Sequence, residues 1–327
     1  MILNELYPLF IEYKRLRVKI STLSAYQFTY KYRLAPKFGE MQVSDITHKL
    51  VSSFALDLNV KGLKKRTITA AIILLNNMLD FASMEYEIPV QKTKIGKIDW
   101  IKDDQRGNKV EVYSNNELRE IENYVKKYPN SFNVAILLLL YSGMRIGELC
   151  ALRLRDIDVE NKVINVCATM QRVPFLATNE IQDLTDVEIL RKANDSIVCV
   201  GPPKTSGSYR EIPIYGFILD YYKHAKKMFC PDYFISTLSQ NFIEPRNFRT
   251  RYRDVIISKV GLSRCLKLHA CRHTFATNLI TNGVDFRTTA ELLGHSDVST
   301  TLNIYSHATD DSKRKAISKV YNKIRRR

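Results

Sequence analysis

The chain is 327 residues long and 45 % apolar, enough for packed cores and for two domains. Fifty Lys and Arg stand against 34 Asp and Glu, a formal net charge of +16 that points to a polyanionic partner, with nucleic acid the usual one and a merely basic protein the blander reading. No run of about 18 apolar residues argues for a membrane span. The start MILNELYPLFIEYKRL lacks a secretory signal's basic start and small-residue cleavage site, and Cys150, Cys167, Cys199, Cys230, Cys265 and Cys271 form neither a CxxC nor a metal-ligand spacing. The expected compartment is therefore the cytoplasm, with reduced thiols.

Residues 1–95 read as a helical domain. Leu3 to Leu16, Ser21 to Leu34, Asp45 to Leu58 and Arg66 to Tyr86 carry apolar residues at helical spacing, the last with Ile68, Ile72, Leu75, Leu79 and Ala82 along one face. Basic residues cluster at the ends, as Lys14, Arg15, Arg17 and Lys19 and as Lys61, Lys64, Lys65 and Arg66. Such clusters suit phosphate contacts or a solvated face. From Pro89 to Lys109 the periodicity stops, which places a linker at 96–110 and a second domain at 111–327.

Ser114 and Glu117 form a capping-box signature at the start of that second domain. The apolar run Val134 to Gly143 reads as a core helix. Three β-rich segments follow: DIDVENKVINV, DSIVCVGPP and YREIPIY. Between the first two lies Met170 to Asn194, which has no clear pattern and reads as an insertion. Helices resume at Phe217 and end in the basic tail KRKAISKVYNKIRRR. The expected fold class is mainly α with a small antiparallel β-sheet in the second domain.

Four short pieces carry residues suited to chemistry. In YSGMRIGELCALRLRDID, Arg145 follows the Gly143 turn in apolar surroundings, where a guanidinium needs an anionic partner such as Glu148 or a substrate phosphate. In LKLHACRHTFATNLI, His269 and Arg272 share a helix face. In ELLGHSDVSTTLNIYSHA, Gly294 ends one helix, His295 follows it and Tyr305 lies on or just past the next. In VGPPKTSGSYREIPI, Lys204 precedes the strand holding Arg210 and Pro213. Singly, each has an ordinary reading: a surface arginine, a capping histidine, a core tyrosine among 18, a solvated lysine.

Together and in this order, Arg145, Lys204, His269, Arg272, His295 and Tyr305 resemble the active-site series of the tyrosine recombinases, the phage-integrase family. The resemblance spans about Ser114 to His307 through four boxes: SGMRIGELCALRLRDI, PKTSGSYREIPI, LHACRHTFAT and LLGHSDVSTTLNIYSH. It implies a SAM-like core-binding domain followed by a mixed α/β catalytic domain, in the simpler form without an additional arm-binding domain. It also implies cleavage and rejoining of DNA through a covalent 3′-phosphotyrosine on Tyr305, without metal, ATP or other cofactor. Arg145 and Arg272 would hold the phosphate oxygens with forks that lysine cannot reproduce, and Glu148 would support them. His269 would accept the tyrosine proton, Lys204 would protonate the departing 5′-hydroxyl, and His295 would bond the phosphate.

The partners implied are double-stranded DNA recombination sites, a homotetramer on paired sites and an accessory DNA-bending or directionality factor. A mobile-element integrase is the expected role, with a Xer-like dimer resolvase as the alternative. A type IB topoisomerase, a catalytically silent DNA-binding protein and a basic RNA-binding protein are the competing classes.

Overall fold

The computed structural model describes residues 1–15, 17–92, 110–174, 187–203 and 206–305. Lys204, the linker up to Lys109, the middle of the Met170 to Asn194 segment and the basic tail lie outside them. The chain divides into two compact units, the first built on Met1–Asn108 and the second chiefly on Lys109–Arg172, Asp183–Ala193 and Ile197–Arg327.

Apolar residues at helical spacing build the first unit. Helices α1 (Leu3–Arg15), α2 (Ile20–Thr29), α3 (Ala35–Phe38), α4 (His48–Val60) and α5 (Lys65–Tyr86) surround one core. All five residues of the expected α5 face, Ile68 to Ala82, are fully buried. Helix α5 is long and apolar enough to cross a membrane by length and composition, but half of that window is buried within the protein. Two boundaries differ from expectation. The second helix passes into a π-helical turn at Tyr30–Leu34 before α3, and α4 starts at His48, where the Thr47 hydroxyl accepts from the Leu50 amide.

In the second unit, α6 (Asn115–Lys127) opens with the expected capping box between Ser114 and Glu117. Helix α7 (Ser131–Ser142) is buried on nearly every side and forms the centre of the unit. A short α8 (Ile146–Ala151) follows.

The expected single three-strand region is two sheets. Strands β1 (Ile157–Asp158), β2 (Val163–Val166) and β6 (Arg210–Pro213) form one, in the antiparallel order β1-β2-β6. Strands β3 (Thr169–Pro174), β4 (Glu188–Lys192) and β5 (Ser196–Gly201) form the other, in the order β3-β5-β4. Strand β4 and all but the first residue of β3 lie inside the segment read as an insertion. All six β5 residues are buried, so β5 shows no alternation, while β3 and β4 are partly exposed and carry Arg172, Glu188, Arg191 and Lys192.

Helices α9 (Gly216–Met228), α10 (Pro245–Asp254), α11 (Leu268–Thr281), α12 (Phe286–Leu293) and α13 (Val298–Tyr305) complete the unit. Helix α11 packs on α7, and α12 packs on α11, α13 and β6. This stacking brings distant boxes to one place.

Candidate active site

The site is built around the ends of two helices. Gly143 closes α7 in the left-handed region at φ 62°, and a Cβ there would stand 2.4 Å from the Phe275 ring. Glycine satisfies both demands, and the chain can turn sharply into Arg145. The Arg145 amide donates to Glu148 Oε2 at 2.8 Å and its Nη1 donates to Oε1 at 2.9 Å. The Arg145 side chain is 40 % exposed, whereas that of Glu148 is 2 % exposed.

A carboxylate this deeply buried needs cationic partners to stay charged. Glu148 has a second one in Arg210, whose Nη2 donates to Oε2 at 2.8 Å. Burial pushes the Glu148 pKa up, but bonds and charge from Arg210, then bonds from Arg145, outweigh it and leave the group below its ordinary value.

Helix α11 turns Arg272 inward, where it is buried, and leaves His269 exposed. Arg272 donates from Nη1 to the Gly143 carbonyl at 2.8 Å and from Nη2 to the Leu293 carbonyl at 2.6 Å. It therefore ties the C-terminal end of α7 to that of α12. Two further arginines reach the same end of α12: Arg210 Nε donates to the Leu292 carbonyl at 2.8 Å, and Arg145 Nη2 to the Gly294 carbonyl at 3.2 Å. Three consecutive carbonyls, 292 to 294, thus receive three different guanidinium groups. The partial negative charge at a helix C-terminus favours that gathering.

His295 comes next in the chain, and its Nδ1 bonds with the buried Thr301 hydroxyl at 2.8 Å on α13. Burial, then the charges of Arg272, Arg145, Arg210 and His269, lower the His295 pKa to about 4. The His269 pKa is lowered chiefly by desolvation of its half-covered ring, then by the charges of Arg272 and Arg145. Its ring meets His273 edge to face with centroids 4.6 Å apart. His273 is lowered to about 4, by burial first and then by the charges of His269 and Arg272.

The turn Ser206–Ser208, which directly follows the Lys204 segment, lies against the same place. A Cβ on Gly207 would stand 3.4 Å from Ser296 Cα, and one on Gly294 would stand 3.0 Å from the Gly207 carbonyl. Tyr305 is the last residue of α13, the helix packed on α12.

The structure therefore gathers Arg145, Glu148, Arg272 and His295, with His269 close enough to feel the first and third. Sequence reasoning missed Arg210 as a site residue, although the strand pattern held the signal. Arg210 is two residues from buried Ile212 on β6, so both point to the same, inner face. Among the described residues, no group of three or more His, Cys, Asp or Glu side chains is placed to hold a metal ion.

The model of the phage integrase family matches residues 111–312, and that of the phage integrase N-terminal SAM-like domain matches residues 2–58. The chain belongs to the phage integrase family. Its enzyme class is that of the tyrosine recombinases, which transfer DNA strands. Among curated members, a XerC-like tyrosine recombinase of Caldanaerobacter subterraneus is 27 % identical, across 94 % of this chain and 79 % of that protein. The transposase from transposon Tn916 of Enterococcus faecalis is 27 % identical across 57 % of this chain and 44 % of its own. Among solved integrases, that of transposon Tn1549 in complex with a circular intermediate DNA shares the fold, with a TM-score of 0.72, 23 % identity, and 98 % and 99 % of the two chains covered. A lambda integrase tetramer bound to a Holliday junction has a TM-score of 0.63 at 16 % identity, covering 95 % of this chain and 80 % of that one.

Proposed function

We propose that this recombinase is the site-specific integrase of a mobile genetic element, cutting and rejoining double-stranded DNA in the cytoplasm through a 3′-phosphotyrosine on Tyr305. The observation that carries this reading is the meeting of Arg145, Arg272 and His295 at the end of α12, one short helix before Tyr305. Residues 1–95 serve as the core-binding domain, 96–110 as the linker and 111–327 as the catalytic domain. The DNA-bound transposon integrase and the tetrameric phage integrase of similar fold support DNA as the partner and a homotetramer on paired sites as the working assembly.

The Tyr305 oxygen attacks phosphorus, its bond to phosphorus forms, and the bond to the 5′-oxygen breaks. Charge on the non-bridging oxygens then meets the exposed Arg145 fork and the fixed positive charge of buried Arg272. His269 has its pKa held below the ordinary imidazole range, so it is neutral near pH 7 and accepts the phenol proton. His295 is neutral for the same reason and donates a hydrogen bond from the ring nitrogen opposite its Thr301 contact. Lys204 protonates the leaving 5′-oxygen. The covalent link conserves the bond energy, so a new 5′-hydroxyl reverses the step without ATP.

A Xer-like resolvase is the second reading, favoured by the near full-length match to the XerC-like relative. One experiment tests the enzyme and begins to separate the roles. Nicked suicide duplexes are made from the junctions flanking the gene and from a chromosome-dimer resolution site, and denaturation-resistant adducts are read for the wild type and Tyr305→Phe. Adducts from the wild type alone on the flanking junctions are expected. Adducts on the resolution site alone would favour the resolvase, and an adduct that survives Tyr305→Phe would move the nucleophile elsewhere.

A further inference from the structure

Arg210 is the cation the site was not expected to contain. Its side chain is 5 % exposed, too deep to meet DNA, and it makes bonds to three separate elements. Nη2 holds Glu148 on α8, Nε holds the Leu292 carbonyl at the end of α12, and Nη1 holds the Ser208 carbonyl at 3.1 Å. These lead in turn to Arg145, to His295 and to the turn that follows Lys204. The fit is close: a Cβ on Gly294 would lie 3.0 Å from Arg210 Nη1 and 3.1 Å from its Cδ.

The charge arrangement explains why a buried arginine belongs here. Glu148 carries one negative charge and faces two guanidinium groups. Without Arg210, both carboxylate oxygens would fall to Arg145, and a bidentate pair would draw that fork away from the phosphate. With Arg210 present, one oxygen is occupied from behind, and Arg145 keeps a single side-chain bond to Glu148 and another to the Gly294 carbonyl. Arg210 does more than Arg145 to keep the carboxylate ionised.

We propose that Arg210 is a positioning residue for strand cleavage, acting through Glu148, Leu292 and Ser208 to hold Arg145, His295 and the Ser206–Ser208 turn without touching DNA. This rests on the active-site reading above. The test compares full-length wild type, Arg210→Lys, Arg210→Met, Glu148→Gln and the double variant Arg210→Met/Glu148→Gln. Melting temperature, affinity for an intact duplex spanning the flanking junction and the single-turnover adduct rate on its nicked form are measured.

Arg210→Met is expected to bind the duplex within about twofold of wild type and to form adduct about a hundredfold more slowly, the scale of a misplaced catalytic group. Arg210→Lys, which keeps the charge and loses the fork, falls between. The double variant recovers about tenfold over Arg210→Met, because the neutral amide that replaces the Glu148 carboxylate no longer captures Arg145. A purely structural role predicts no such rescue.

A wild-type adduct rate in folded Arg210→Met or Arg210→Lys overturns the proposal. So does unfolding of both, a parallel loss of binding and rate, or a double variant no faster than Arg210→Met. No adduct from the wild type itself would overturn the active-site reading as well; a wild-type adduct with unchanged variants overturns this inference alone.

Discussion

Two buried carboxylates in the catalytic unit each sit between two arginines, and the two are put to different uses. Glu244, just before α10, takes three hydrogen bonds from Arg172 on β3 and one from Arg191 on β4. Both arginines are open to water, at 40 % and 52 % exposure, and Arg172 spends its Nε and Nη2 on the carboxylate. That is a fastening, which holds the second sheet to the start of α10. At Glu148 one arginine is sealed in and the other is exposed, and each also bonds the end of α12. The same residue types fix a sheet when their forks close on a carboxylate, and present a cation when those forks are divided between partners.

The largest effect that could break this comparison is on rate. Arg145→Lys should slow adduct formation by about 10²–10³-fold, because the fork is lost, while Arg172→Lys should leave it within about threefold. Equal losses in the single-turnover assay would remove the distinction.

Stability comes next. Glu148→Ala strands the sealed Arg210 guanidinium and should cost about 3–5 kcal/mol in denaturant unfolding. Glu244→Ala releases two arginines that reach water and should cost about 1 kcal/mol. The reverse order would mean that Glu244 is the deeper constraint.

A third difference is in pH. His295 has a folded-state pKa of about 4 against 6.5 in the unfolded chain, so the unfolded state binds more protons between these values. Its contribution to stability is complete above pH 6.5 and is lost as the pH falls toward 4. His295→Asn should therefore flatten the fall in melting temperature across that window, and Glu244→Ala should leave the slope alone. Smallest of all, Arg191→Met should cost under about 1 kcal/mol, since the side chain is half exposed and makes one bond to Glu244 with a face-on contact to Phe242.

Local pattern explains what the sequence disclosed. The α5 face, the Ser114 capping box and the glycine turns at Gly143 and Gly294 are set by residues a few positions apart, and each is present. The four boxes, taken in order, point to one place, and Arg145, Arg272 and His295 meet there. What stayed hidden was non-local pairing. The segment holding β3 and β4 has no clear pattern of its own, because the carboxylate that receives its arginines, Glu244, is 72 residues from Arg172 and 53 from Arg191. Arg210 is hard to read from sequence for a related reason. Its partners Glu148 and Leu292 lie 62 and 82 residues away, and only the parity it shares with Ile212 marked it as inward-facing.

The arginine-capped end of α12 also bears on how the enzyme is made. Arg145 reaches it across 149 residues, and Arg272 ties it to a Gly143 carbonyl 129 residues away in the chain. A nascent chain stopped before Leu292 leaves the ribosome already carries Arg145, Glu148, Arg210 and Arg272, but not the three carbonyls that collect the arginines. Contacts of such span close after local helices have formed. The cluster of arginines at the end of α12 can therefore close only once most of the chain has emerged.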